Sequence, residues 1–215
     1  MKNLHLEESG YTIKTLETQE EFIKSFRLRH LVFAETLRWV SESPGNLEID
    51  EYDRFAIPLA VFRGTEMLSY IRVVLSRDYY MLEKDFRVLV RDGRDIRKTV
   101  DTCETSRFCV HPEARADKIA GYNVFMFLFK GLYTWCRINN IRFIQTVVED
   151  KVNRLICAKG FPCDPIGDAV TFGDNTVALA VTVDWRAFEA NNLVKRPKLV
   201  EWFQINSSEM AAATA

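Results

Sequence analysis

The run GYNVFMFLFKGLYTWCRIN, residues 121–139, decides how the rest of the chain is read. Apolar side chains fall on nearly every face of a 3.6-residue period, so the run predicts a helix buried on most sides. Lys130 interrupts it, and it is too short to span a bilayer. Outward from it, residues 141–148 read as a strand and residues 150–159 as a helix closed by Gly160. Residues 176–184 read as a last strand. On the other side, residues 102–110 are rich in β-formers, and His111-Pro112 ends them. Residues 58–63 and 67–75 flank Gly64-Thr65-Glu66, which predicts two antiparallel strands joined by a short hairpin. Thr18 and Glu21 have the spacing of a capping box, and Phe22, Phe26, Phe33 and Leu37 recur at helical intervals. Residues 19–38 should therefore start as an amphipathic helix. Residues 41–46 read as a loop and residues 49–54 as a short polar turn. Helices alternating with strands, together with one hairpin, imply an α/β fold: a mixed, largely antiparallel twisted sheet covered by helices.

With 215 residues and nothing that resembles a linker, the expectation is one domain over residues 1–215, with residues 200–215 as a poorly structured tail. An apolar share of 47% beside 27% charged residues suits a soluble globular protein. The first residues, MKNLHLEE, lack the apolar core of an export signal, so a cytoplasmic location is expected, with no membrane partner. The five cysteines form no C-x-x-C pair, which suggests neither a disulfide framework nor a zinc site and leaves them reduced and mostly buried. His5, His30 and His111 are scattered, so no metal site or His-dependent triad is visible, and His30 reads as a surface residue. A net charge of -1 argues against a nucleic-acid binder.

Three clusters combine charge with aromatic rings. The first is Arg29, Phe33 and Trp39 followed by Asp50 and Asp53. Arg29 and Phe33 share a helix face, and the two aspartates fall within a single turn. The second is Arg72, set among the apolar residues of the second hairpin strand, where an arginine must snorkel or find a carboxylate. The third is Glu104-Thr105-Ser106-Arg107-Phe108, opposite charges in a strand that otherwise looks buried. Strand side chains alternate, so Glu104 and Arg107 would face opposite sides of a regular strand; for both to reach one pocket, a bulge or twist near Thr105-Ser106 is expected.

The succession of strand, loop, buried helix and strand resembles the acyl-CoA N-acetyltransferase core, which implies a three-layer sandwich. In that core, loop amides at a helix N-terminus hold a pyrophosphate. Its closely spaced loop glycines are missing here; only Gly121 is present between Arg115 and the helix. Across residues 24–110 the charged clusters resemble, in order and spacing, the acyl-homoserine lactone synthases of the LuxI type, which make quorum-sensing autoinducers. Arg29, Phe33 and Trp39 match one family pattern, Asp50 and Asp53 its paired aspartates, Arg72 its hairpin arginine, Phe86 the phenylalanine that follows, and Glu104 through Phe108 its E-x-S-R-[FY] motif. The chain departs at Leu75-Ser76, where many members have Pro-Thr, and at Leu59, where a tyrosine is common.

The resemblance implies an acyltransferase that acylates the amine of S-adenosylmethionine from a thioester. Lactonisation then releases methylthioadenosine. Acyl carrier protein is favoured over coenzyme A as donor, and no cofactor is permanently bound. It assigns Glu104 to proton removal from the amine, with Arg107 and Arg29 beside it as catalytic residues. Arg29, Phe33, Trp39, Asp50, Asp53, Arg72, Phe86 and Arg107 would bind the cofactor-like substrate. Thr146 and Phe125 would line the acyl chain, with Thr146 linked to 3-oxo chains. Lys151, Arg154 and Lys159 lie at helical spacing and could meet an acidic helix of the carrier. The rival readings are an acyl-CoA-dependent N-acyltransferase of the same fold and a catalytically silent binding protein. For each charged residue singly, a structural ion-pair network is an equal alternative.

Overall fold

The structure, a computed structural model, describes residues 1–93, 95–173 and 175–205. In chain order its elements are β1 (His5–Glu8), β2 (Tyr11–Thr15), α1 (Gln19–Arg29), β3 (Ile57–Arg63), β4 (Glu66–Leu75), α2 (Met81–Lys84), β5 (Thr102–Val110), β6 (Lys118–Ile119), β7 (Tyr122–Asn123), α3 (Val124–Ile138), β8 (Phe143–Glu149), α4 (Asp150–Ala158), β9 (Cys163–Pro165), β10 (Val170–Thr171), β11 (Val177–Asp184), α5 (Trp185–Lys195) and α6 (Pro197–Gln204). They fall into two compact units, one of residues 1–73 and 107–135, the other of residues 74–106 and 136 onward.

In the first unit β1, β2, β3 and β4 pair in that order, each antiparallel to the next. The β1–β2 turn is Ser9-Gly10, with φ of 52° and 81°. Two central residues with positive φ give a turn whose twist matches that of the strands it joins. Leu6 opposite Ile13 then points inward, and both are buried. Helix α1 begins at the expected capping box: Thr18 accepts from the Glu21 amide, and Glu21 reaches back to the Thr18 amide. The helix expected over residues 19–38 is shorter than its periodicity suggests. It stays α-helical to Arg29 and then widens into a π-helical turn, His30–Thr36, where the Leu37 amide bonds the Val32 carbonyl five residues back. Leu28, Val32 and Phe33 pack with Ala60, Phe62, Met67, Tyr70 and Cys109 as the core of this unit.

The long apolar helix begins at Val124 rather than Gly121, because β6 and β7 form a small hairpin around Ala120-Gly121 before it. Its Lys130 is fully buried and pairs with Glu8 of β1 at 2.6 Å.

In the second unit the first half of β5 lies parallel to β8, with Glu104 in register with Gln145 and Thr105 with Thr146. β8 is antiparallel to β11, and β9 and β10 each pair antiparallel with β11. The pairing is therefore mixed and largely antiparallel, the α/β class expected. Phe161, Trp185, Phe188 and Phe203 form an aromatic core, with Phe161 stacked on Phe188 at 4.8 Å. The sequence reading of residues 200–215 as a poorly structured tail is corrected in part: α6 carries the helix to Gln204 and buries Leu199, Val200, Trp202 and Phe203. Residues 206–215 lie outside the described residues.

Candidate active site

The cluster in the first unit is assembled from three backbone segments, each with its own local reason. Arg29 sits at the end of α1, where the helix widens into the π-helical turn. Asp50 caps a 3-10 turn, Glu51–Arg54: its carboxylate accepts from the Tyr52 amide, and Asp53 accepts from the Asp50 amide at 2.9 Å. This short box fixes both aspartates. Arg72 projects from β4 and is fully buried, as Arg29 is.

Arg29 donates to Asp53 through two nitrogens, at 2.7 and 3.1 Å, and to Glu48 through Nε. Arg72 bonds Asp50 and, at 3.0 Å, Asp53. Arg107 donates from Nε to Glu48 at 2.9 Å and from a terminal nitrogen to Asp50 at 2.8 Å. Three guanidinium forks thus meet three carboxylates, each carboxylate shared between at least two arginines. Aromatic faces close the sides. Arg29 lies over Phe26 and Tyr70, Arg72 over Tyr52, and Arg107 over Phe33, at 5.4–5.7 Å from ring centroids. Trp39 stacks on Phe33 at 6.2 Å yet keeps 41% of its surface open.

The charges respond as expected of a packed cluster. Burial alone would raise the Asp53 carboxyl, but the hydrogen bonds and charge of Arg29, with Arg72 behind it, hold it below its ordinary value. Burial alone would lower the Arg72 guanidinium, and Asp50 outweighs it, so Arg72 is raised. Tyr70 is pushed up to about 12, first by burial, and stays a neutral phenol.

Sequence reasoning did not single out Glu48, which is buried and links Arg29 to Arg107. The alternation Leu47-Glu48-Ile49-Asp50 was the available signal, because it sets Glu48 two residues before a matched aspartate. His30, read as a surface residue, is instead buried, with Nδ1 3.0 Å from Glu35. The irregularity expected in β5 exists, one residue on from Thr105-Ser106: Arg107 has φ of 54°, the left-handed region. A non-glycine residue there costs about 1–2 kcal/mol.

The other expected residues lie in the second unit, apart from Phe125. Glu104 is buried, and its two carboxylate oxygens accept the amides of Met81 and Leu82, at 2.7 and 2.8 Å, at the start of α2. Phe86 meets Phe172 edge-on at 6.1 Å. Thr146 donates its hydroxyl to the Thr105 carbonyl at 2.9 Å. Lys151 and Arg154 are exposed on α4, paired with Glu149 and Asp150, and Lys159 is exposed at its end. Phe125, in the first unit, stacks on Phe129 at 4.8 Å, with Phe108 edge-on to both.

A family model described as autoinducer synthase matches residues 14–191. An acyl-homoserine-lactone synthase of Rhizobium radiobacter is 31% identical over 179 residues, covering 80% of this chain and 83% of the relative. Another from Vibrio anguillarum is 28% identical over 155 residues, covering 70% and 78%. The solved structure of BjaI, described as a CoA-dependent acyl-homoserine lactone synthase with MTA, shares the fold at a TM-score of 0.72 and 20% identity, over 88% of this chain and 83% of that one.

Proposed function

The chain belongs to the autoinducer synthase family and is an acyltransferase, and from that premise we propose that it makes an acyl-homoserine lactone from S-adenosylmethionine and an acyl thioester. One observation carries the reading: the balanced group of Arg29, Arg72 and Arg107 with Glu48, Asp50 and Asp53, flanked by Phe33 and Trp39.

S-adenosylmethionine brings a sulfonium, an ammonium and a carboxylate. Arg29 and Arg72 have no exposed side-chain surface and act as fixed scaffold charge, whereas Asp50 and Arg107 keep 20% and 16% of theirs open. Asp50 takes a cationic part of the ligand and Arg107 its carboxylate, each exchanging an internal partner for one of like sign. Phe33 and Trp39 offer ring faces to adenine or sulfonium, and Phe86 contributes a further aromatic contact. Glu104 receives the amine proton, directly or through a water. The freed amine attacks the thioester carbonyl; the C–N bond forms, the C–S bond breaks, and the carrier leaves as its thiol. The substrate carboxylate then attacks its own γ-carbon, the carbon–sulfonium bond breaks, and methylthioadenosine departs. Phe125 and Thr146 line the acyl chain. Recognition of a 3-oxo group by Thr146 requires its hydroxyl to give up the Thr105 carbonyl.

We favour acyl carrier protein as donor, met by the exposed Lys151, Arg154 and Lys159 of α4. The coenzyme A alternative has its own support, since the structural relative BjaI is described as CoA-dependent. A cytoplasmic location goes with these substrates; among the described residues no helix is long and apolar enough to cross a membrane. The test supplies the purified chain with S-adenosylmethionine and either acyl carrier protein or coenzyme A carrying the same acyl group. Methylthioadenosine and lactone should appear in equal amounts, faster with the carrier protein. Acyl amide without methylthioadenosine would identify an ordinary N-acyltransferase, and no product from either donor would identify a silent binding protein.

A further inference from the structure

Gln145 sits near the middle of β8, and two strand pairings fix its surroundings. It is in register with Glu104 across the parallel β5–β8 pair and with Thr182 across the antiparallel β8–β11 pair. Side chains in register on adjacent strands stand on one face of the sheet, so Gln145 lies directly beside Glu104. The Met81 and Leu82 amides hold both carboxylate oxygens of Glu104. Gln145 is only 2% exposed, and among the described residues its side-chain oxygen has no hydrogen-bond partner. An amide oxygen withdrawn from water and left unpaired opposes folding, whereas a methionine or leucine would fill the same space without that cost. A buried acceptor kept without a protein partner, one strand away from the proposed proton acceptor, is suited to contact a ligand.

We infer that Gln145 is a second acceptor for the α-amine of S-adenosylmethionine, which rests on the proposed role of Glu104 as the group that receives the amine proton. The ammonium carries several N–H donors. Gln145 Oε1 accepts one of them while Glu104 takes the proton of another, directly or through a water. The bond to Gln145 persists after that proton leaves, and it holds the freed nitrogen lone pair at a fixed angle for the thioester carbonyl. A neutral carboxamide also suits its neighbour. It accepts a hydrogen bond without competing for the proton, whereas a second carboxylate beside Glu104 would leave one of the two protonated.

The test uses the purified full chain and two nucleosides: S-adenosylhomocysteine, which keeps the amine, and methylthioadenosine, which has none. By calorimetry, Gln145→Met and Gln145→Leu should each weaken S-adenosylhomocysteine binding by roughly tenfold, the weight of one hydrogen bond to a charged group. Methylthioadenosine affinity should stay unchanged. Thermal midpoints should equal the parent's or exceed it, because an unpaired buried polar atom has been removed. A glutamine with a purely structural role would not lose affinity for the amine-bearing ligand alone while the fold held. An unchanged ratio of the two affinities, a proportional loss of both, or loss of cooperative unfolding in both variants would overturn the inference. A parent chain that binds neither nucleoside and forms no methylthioadenosine would sink the S-adenosylmethionine reading itself, and the inference with it.

Discussion

Glu48 and Glu104 illustrate what a single buried carboxylate does in this protein. Glu48 joins two arginines whose positive charges would otherwise face each other across the cluster. Glu48→Gln keeps the shape and removes the charge, and breaking a buried pair in this way costs about 3–5 kcal/mol. Urea denaturation should show a lower midpoint with an unchanged slope; an unchanged midpoint would mean that solvent already screens the pair. Glu104 combines an anchoring task with its proposed chemical one, because its oxygens hold two amides of α2. Glu104→Gln should lower methylthioadenosine formation by at least about 100-fold, the lower range for a positioned proton acceptor, while the chain still unfolds cooperatively. Near-normal turnover would remove Glu104 from the chemistry and leave it as the anchor of α2. The identities of Arg29, Asp50, Asp53, Arg72 and Arg107 were legible because their spacing follows a family pattern. Glu48 was not, since no motif includes it and only the folded loop brings it between Arg29 and Arg107. An irregularity in β5 was legible from the Glu104–Arg107 spacing, but nothing in a β-rich run marks Arg107 as the residue whose φ turns positive.

At the scale of elements, what could be read was what local chemistry decides. The capping box at Thr18, the strand over residues 102–110 and the Gly160 stop each depend on residues within one turn or one strand. The π-helical turn after Arg29 depends on packing against β3 and β4, and a hydrophobic period cannot separate it from more α-helix. The Ser9-Gly10 turn was a readable hairpin signal in a polar N-terminal stretch. Gly167 offers a test of element packing. A Cβ there would lie 2.2 Å from the Leu89 carbonyl oxygen and 2.7 Å from the Arg91 amide nitrogen, backbone atoms with no rotamer to yield. Gly167→Ala should therefore destabilise by about 1–3 kcal/mol, the usual cost of overpacking; a thermal midpoint within a degree of the parent would show that this loop moves aside freely. Helix α4 carries its own prediction. Reversing charge at Lys151 and Arg154 together should raise the apparent KM for acyl carrier protein, with kcat little changed and no effect with an acyl-CoA donor. Equal behaviour toward the carrier would move docking to another face.

Across the whole molecule, paired carboxylates set the response to acid. Asp53, Glu21 and Asp184 are all held below their ordinary values in the folded chain; for Asp184 the foremost cause is the hydrogen bond from Arg142. Unfolding releases those partners, so in acid the unfolded chain binds more protons. Stability is then full above the unfolded carboxylate range and is lost as pH falls through the lower, folded values. The urea midpoint should be level near neutrality and decline below about pH 4, and Asp53→Asn should remove part of that decline. A midpoint that stays level to about pH 3 would show that the pairs contribute equally to both states. The first unit's cluster also constrains how this chain can change over generations. Its positive and negative groups are matched in number and share their partners within one network, so replacing any one strands a partner. Neutral drift at residues 29, 48, 50, 53, 72 and 107 must therefore proceed by compensated double steps, and a lineage leaving this arrangement would first cross a poorly folded intermediate.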